Sequence, residues 1–311
     1  MFDVMRCSIS TLRQISIPPV LWLALLLASP ASTVTLVPIA DTSIFEKAPD
    51  NNLGATQSFA AGNTATPDPA RALIRFDLST ALPAGARVTG VSLTLPVVRT
   101  ARFPEPATFG LHRLLVDWGE GDKGENVVIG IGALASAGEV TWTARFHAQQ
   151  SWAVPGGGAG LDFTAQASGS ASITGTLPLV FEFTTDLVAD VQSWLDNPGS
   201  NFGWLLKDQF ESIGSTARRF GSREHPTDRP LLVVEYEAPL RIDRISLIAG
   251  QYCLHFTARA GRTYKLERRD NVDSENWEVI ATRLSSEGTA EAVLCDTIAP
   301  TSSRFYRIGE E

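Results

Sequence analysis

Five cations stand out by type and spacing: Arg75, Arg113, Lys207, Arg219 and Arg223. Each alternates with apolar or small neighbours in a stretch that reads as a strand. Period-2 geometry can therefore gather them on one solvated sheet face. A guanidinium offers a carboxylate two parallel N–H donors, and an ammonium adds a point charge. Such a row would hold an acidic polymer without breaking a bond. Trp118, Trp142 and Trp152 sit in loop-like contexts and are candidates to stack on sugar rings, whereas Trp194 and Trp204 fit a core. The same cations also read as a solvated face laced with Asp77, Glu182 and Glu235 as ion-pair partners, which contribute little energy.

Covalent chemistry has few carriers. None of His112, His147, His225 and His255 belongs to a His-Glu-x-x-His pair, and no Gly-x-Ser-x-Gly elbow supplies a nucleophile. Pro155-Gly-Gly-Gly-Ala-Gly160 lacks the Lys-Ser/Thr of a phosphate-cradling loop. His112 and Arg113 are adjacent, as a lyase base and its uronate-neutralising partner could be, but alternation points them to opposite faces. The chain therefore reads as a non-enzyme without an organic cofactor. Asp41, Asp50 and Asn52, near Asn51 and Asp77, are candidates for one structural calcium. Asn51-Asn-Leu-Gly54 serves equally well as a turn of residues that tolerate positive φ.

The elements that must position these groups are mostly strands. Val34–Ala40, Ala72–Leu78, Val88–Val98, Gly110–Val116, Val140–Ala144, Leu179–Thr184, Gly203–Lys207 and Leu231–Tyr236 are the firmest. In one, Ile74 and Phe76 alternate with Arg75 and Asp77; in another, Val91, Leu93 and Leu95 alternate with Ser92 and Thr94. Half-buried antiparallel strands read this way. One helix is expected, capped by Thr185, with Asp186 at its positive end and Leu187, Val191, Trp194 and Leu195 as its apolar stripe. Asn197-Pro-Gly199 ends it. Residues 119–170 give a weak signal and read as flexible loops.

Residues 1–31 read as a secretory signal, with Arg6 and Arg13 ahead of the apolar run Val20–Ala28 and small residues at Ser29 and Ala31. The run is too short to span a bilayer, so the expectation is export without membrane insertion after cleavage. The net charge of −8 disfavours non-specific binding to nucleic acid or anionic lipid. Cys253 and Cys295 remain after the leader, and an exported chain would join them as a disulfide; two free thiols are the alternative.

In order along the chain come Asp41-Thr-Ser-Ile44, Asn52-Leu-Gly54, Arg75-Phe-Asp-Leu-Ser79, Phe109-Gly-Leu-His-Arg113, Asn201-Phe-Gly-Trp-Leu-Leu-Lys207, Phe220-Gly-Ser-Arg-Glu224 and Leu232-Val-Val-Glu-Tyr236. This series resembles the DNRLRE-type β-sandwich, also classed as carbohydrate-binding module family 96. The resemblance implies a secreted, non-catalytic binder of polysaccharide, with alginate, a uronate polymer, as the ligand class. Here the module is net acidic, a departure from a strongly basic binder. After Pro239, six short strands over 240–311 fit a small fibronectin-like sandwich. Phe256–Glu267, Trp277 and Arg304-Phe-Tyr-Arg307 resemble a C-terminal module of secreted bacterial proteins, with the Trp and Tyr residues expected in its core. The expected fold is thus all-β: a jelly-roll-like antiparallel sandwich with one short helix over 32–238, then the smaller sandwich. A structural or adhesive module of a surface protein is the rival reading.

Overall fold

The computed structural model describes residues 32–124, 131–259, 261–271, 273, 275–285, 290–297 and 304–311; the expected leader lies outside the described residues. The described chain falls into two compact units, one ending at Leu240 and the other running Arg241–Glu311. Both are built from antiparallel strands, as the alternation implied.

In the first unit a four-stranded sheet runs in the order Ser32–Leu36, Leu231–Glu237, Arg87–Leu95, Leu179–Phe181. Val91, Leu93, Leu95, Leu232 and Val234 point inward and are buried, while Ser92 and Thr94 stay half-buried. The facing sheet runs Gly169–Ile173, Ala107–Arg113, Trp204–Asp208, Pro69–Arg75, Ser58–Asn63, Arg218–Gly221, Val97–Thr100. Its inner face gives Phe59, Ala72, Ile74, Phe109, Leu111, Trp204, Leu206 and Phe220 to the shared core. Each large apolar side chain removed from water there contributes about 1.5–3 kcal/mol.

Two departures from the expected elements have local causes. The single strand expected over Val34–Ala40 is two: Ser32–Leu36 joins one sheet and Ala40–Phe45 the other. Pro38 falls between them, where a missing N–H breaks any ladder. The helix Thr185–Asp196 is capped one residue earlier than expected. Thr184 is extended (φ −136°, ψ 157°) and its Oγ1 accepts from Leu187 N at 3.0 Å. Leu187, Val191, Trp194 and Leu195 pack into the main core as the stripe predicted.

Strand Pro69–Arg75 has three partners. Ala40–Phe45 pairs along it, Trp204–Leu206 stands opposite Ile74 to Ala72, and Gly62 and Asn63 meet Ala70 and Pro69. The sheet therefore branches near Ala70, where Phe45 and Gly62 both stand opposite one residue.

The face of this sheet turned away from the main core is also apolar. Leu73, Leu205, Ala40 and Ile44 form a second core with Leu114, Trp118, Val140, Trp142, Trp152 and Phe163. Residues 119–170 read from the sequence as flexible loops, but the described part of them up to Phe163 forms a packed cover together with Leu114 and Trp118. Val140–Ala144 is accordingly not a strand. Its backbone bonds the cover internally, Val140 N to Gly119 O and Thr141 N to Ala144 O.

The second unit has two three-stranded sheets. Ile242–Ile248, Gln251–Ala258 and Ala290–Cys295 form one; Glu278–Leu284, Thr263–Arg269 and Phe305–Glu310 form the other. All six expected strands occur here. Leu254, Phe256, Tyr264, Leu266, Ala292 and Leu294 are buried. Cys253 stands directly opposite Cys295 and is joined to it by a disulfide, with Cα atoms 4.0 Å apart. Trp277, expected in the core, is half-buried instead, with Arg269 and Arg307 over its ring at 4.5 and 4.4 Å.

Candidate functional site

The five cations do not form one basic face. Arg75 follows the parity of Leu73, and Lys207 that of Leu205, so both lie on the covered side of the sheet. Arg75 Nη1 donates to Asp117 Oδ1 at 2.8 Å, and its guanidinium lies 5.3 Å from the Trp118 ring centre. Lys207 Nζ pairs with Glu211 at 3.2 Å. Arg113 stands opposite Trp204, in the other parity, and Arg113 Nε reaches Asp190 Oδ1 of the helix at 3.4 Å. Arg223 forks onto Glu120, with Nε–Oε1 2.8 Å and Nη2–Oε2 3.0 Å, and also pairs with Glu224 at 2.9 Å. Arg219 stands apart, on the branch of the sheet.

The stacking role of Trp118, Trp142 and Trp152 is corrected as well. They are 2 %, 6 % and 4 % exposed and offer no ring face to a ligand. Trp118 Nε1 donates to Phe202 O, and Trp152 Nε1 to Thr141 O. An unpredicted residue explains the cover. Arg71 lies beneath it, 5.1 Å from the Trp142 ring centre, and forks onto Glu211 with Nε–Oε1 2.7 Å and Nη2–Oε2 2.8 Å. Arg71 Nη1 also donates to Gly156 O at 2.8 Å. Gly156 is required at that approach: its φ is +83°, and a Cβ would come within 2.6 Å of Trp142. Burial alone would raise the Glu211 carboxyl, but the Arg71 fork and the Arg71 and Lys207 charges hold it below its ordinary range.

The calcium candidates are not gathered as ligands. Asn52 donates to Glu120 O and Val140 O, and its Oδ1 accepts from Gly54 N. Asn51 and Asn52 lie in a short strand, and no residue of 51–54 adopts the positive φ on which the turn reading rested. Asp50 accepts from Thr143 Oγ1 at 3.1 Å. Among the described residues no group of three or more His, Cys, Asp or Glu side chains is placed to hold a metal ion. Asp41 belongs to a different arrangement. Its N–H donates to Glu120 Oε1 and its Oδ2 accepts from Arg223 N, both at 2.8 Å. Burial pushes its carboxyl up to about 8, opposed by the Arg223 bond and aided by Glu224 and Glu120. Burial raises Glu120 too. This cluster ties the strand Ala40–Phe45, the cover and the turn after Arg218–Gly221 together; its chemistry is structural.

One concave site keeps an uncommitted cation. At the branch of the sheet, Phe45, Ala60, Ala70, Ile131 and Ala217 wall a cleft of about 300 Å³ that Lys47, Arg99 and Arg219 rim. Lys47 pairs weakly with Asp68 at 3.5 Å, both exposed. Arg219 has a contact of its own within the protein. Arg99 is exposed on the edge strand Val97–Thr100, directly opposite Arg219, and no ion pair holds it among the described residues. The expected strand stopped at Val98, one residue short, which hid Arg99 from the sequence reading. A register shift between Arg219 and Phe220 puts Val97 opposite buried Phe220 and Arg99 opposite Arg219, so strand parity alone would have turned Arg99 to the wrong face.

No protein-family model matches the chain, and no curated protein matches it.

Proposed function

We propose that this is an exported, non-catalytic polysaccharide-binding protein that seats acidic sugar units, such as the uronates of alginate, in the branch cleft. Arg99 carries the reading: an exposed guanidinium, unpaired among the described residues, facing a second guanidinium at the rim of an apolar-walled cleft. Like charges directly opposite on antiparallel strands repel, and a carboxylate between them relieves that. The C–H face of a sugar ring would rest on Phe45 and the alanines. The motif series and its resemblance to the DNRLRE-type module support the same class of ligand. The disulfide fits an oxidising compartment, and no helix of the described residues is long and apolar enough to cross a membrane.

The second reading, a structural or adhesive module without specific glycan binding, is favoured by the ion pairs that engage Arg75, Arg113, Lys207 and Arg223 within the fold. Affinity electrophoresis of the full exported chain through alginate, pectin and neutral glucan gels separates the two. Retardation by alginate that falls with salt, and is weakened tenfold or more in a folded Arg99→Ala variant, is expected (about 1.4 kcal/mol). Unretarded migration in every gel makes the adhesive module the better reading.

A further inference from the structure

A second cavity lies about 17 Å from the cleft along strand Pro69–Arg75, counting the five residues from Ala70 to Arg75 at ~3.4 Å each. It encloses about 220 Å³, and Arg75, Asp77, Ser79, Trp194, Pro198 and Asn201 are among its lining residues. Three elements meet there: the end of the strand, the last turns of the helix and the 3-10 turn Pro198–Ser200.

Three of these residues carry a buried polar atom without a hydrogen-bond partner: Arg75 Nε, Trp194 Nε1 and Asn201 Oδ1. Two of them are held locally through another polar atom. Arg75 Nη1 is on Asp117, and Asn201 Nδ2 donates to Phe76 O at 2.8 Å. Trp194 is 2 % exposed, so its N–H has no recourse to bulk water. An unsatisfied buried donor or acceptor costs roughly 1–3 kcal/mol, and native folds keep few of them. Here two donors and one acceptor belong to residues from three segments that line one space.

The charges select among occupants. Asp77 is held below the ordinary carboxylate range by the hydroxyl and N–H of Ser79, so it is ionised, and Asp117 stands on Arg75. An anion would meet these two carboxylates and would also leave Asn201 Oδ1 facing another acceptor. A metal cation would meet the Arg75 guanidinium and an indole N–H. A hydroxyl can accept from an N–H while donating to an amide oxygen. We infer that this cavity is a binding site for a neutral polyol, a vicinal hydroxyl pair of a sugar, with Trp194 and Arg75 donating to it and Asn201 accepting. Binding would require side-chain adjustment of Arg75, Trp194 and Asn201, because all three orphan atoms are shielded. The volume equals roughly seven waters at ~30 Å³ each, enough for a sugar ring. The inference does not rest on the acidic-sugar cleft.

The test reads the Trp194 indole N–H in a ¹H–¹⁵N spectrum of the full exported chain, assigned by its disappearance in Trp194→Phe. Methyl glucoside and glycerol are the neutral probes; sodium glucuronate is the charged one. A saturable shift of that resonance with a neutral probe is expected, with at least tenfold weaker binding in Asn201→Ala and no change in Arg99→Ala. Glucuronate should move it less. An immobile resonance with both neutral probes means that the cavity holds water only and overturns the inference, as does unchanged affinity in Asn201→Ala. Because Arg99→Ala reports on alginate retention alone, failure of one site is distinguishable from failure of the other.

Discussion

The covered face of the large sheet and the branch cleft are made from the same materials, arginine beside apolar surface, and come out differently. Under the cover, Arg71 has a carboxylate, two carbonyls and an indole around it. In the cleft, Arg99 stands at an open edge with apolar walls below it and no ion pair among the described residues. A guanidinium next to apolar side chains therefore says little about ligands. What decides its role is whether the chain itself returns to supply the anion. Residues 114–124 and 131–163 return over the first face, and among the described residues none supplies an anion to Arg99 at the second.

The sharpest way to break this contrast is Arg71→Ala. It leaves Glu211 beneath the cover with Lys207 as its remaining cation and frees the glycine loop. We expect a loss of about 3 kcal/mol, the low end for breaking a buried pair, in denaturant unfolding. A loss under 1 kcal/mol would show that the cover is held by its tryptophans alone. Next in size is the pH dependence of Asp41. Its folded carboxyl is raised from 3.8 to about 8, so between those values the folded state holds a proton that the unfolded chain has released. Stability should fall as pH rises from about 4 to about 8, by at most ~1.4 kcal/mol per unit from this group, and level off above. Asp41→Asn should flatten that slope in melting curves taken across the range; an unchanged slope would assign it elsewhere. Arg75→Ala removes a partly exposed pair with Asp117 and should cost about 1 kcal/mol or less, with alginate retention unaltered. Smallest in stability is Arg99→Ala, within about 0.5 kcal/mol of wild type by thermal melting as an exposed edge residue, yet it should carry the largest change in glycan retention. If Arg75→Ala and Arg99→Ala weaken retention equally, the distinction between the two faces fails.

Much of this was written in the sequence, and some of what was missed was written there too. Val91, Leu93 and Leu95 gave a sandwich strand by alternation, and the six strands after Pro239 were found within a few residues because local turns separate them. Leu73 shares the parity of Arg75, and Leu205 that of Lys207, so a face taken as solvated already carried leucines that needed cover. The tryptophans between 118 and 152 supply that cover, a pairing at long range that periodicity does not express. Strand Ser58–Asn63 is Ala- and Gly-rich, with weak intrinsic preference for the extended state. Its place is set by partners more than 150 residues away, such as Phe220 opposite Phe59. The cleft followed from that unseen strand and so was not legible.

The bridge between Cys253 and Cys295 has a mechanical meaning. For a chain anchored through its first unit and pulled from its C-terminus, tension would run along Ile242–Ile248 into Cys253, cross the sulfurs and leave through Cys295. The stretch between them, a sequence separation of 42, would carry no load, and roughly 140–150 Å of contour at 3.3–3.6 Å per residue would stay unavailable to extension. Reduction would release that length, turning a short, stiff tether into a long, compliant one.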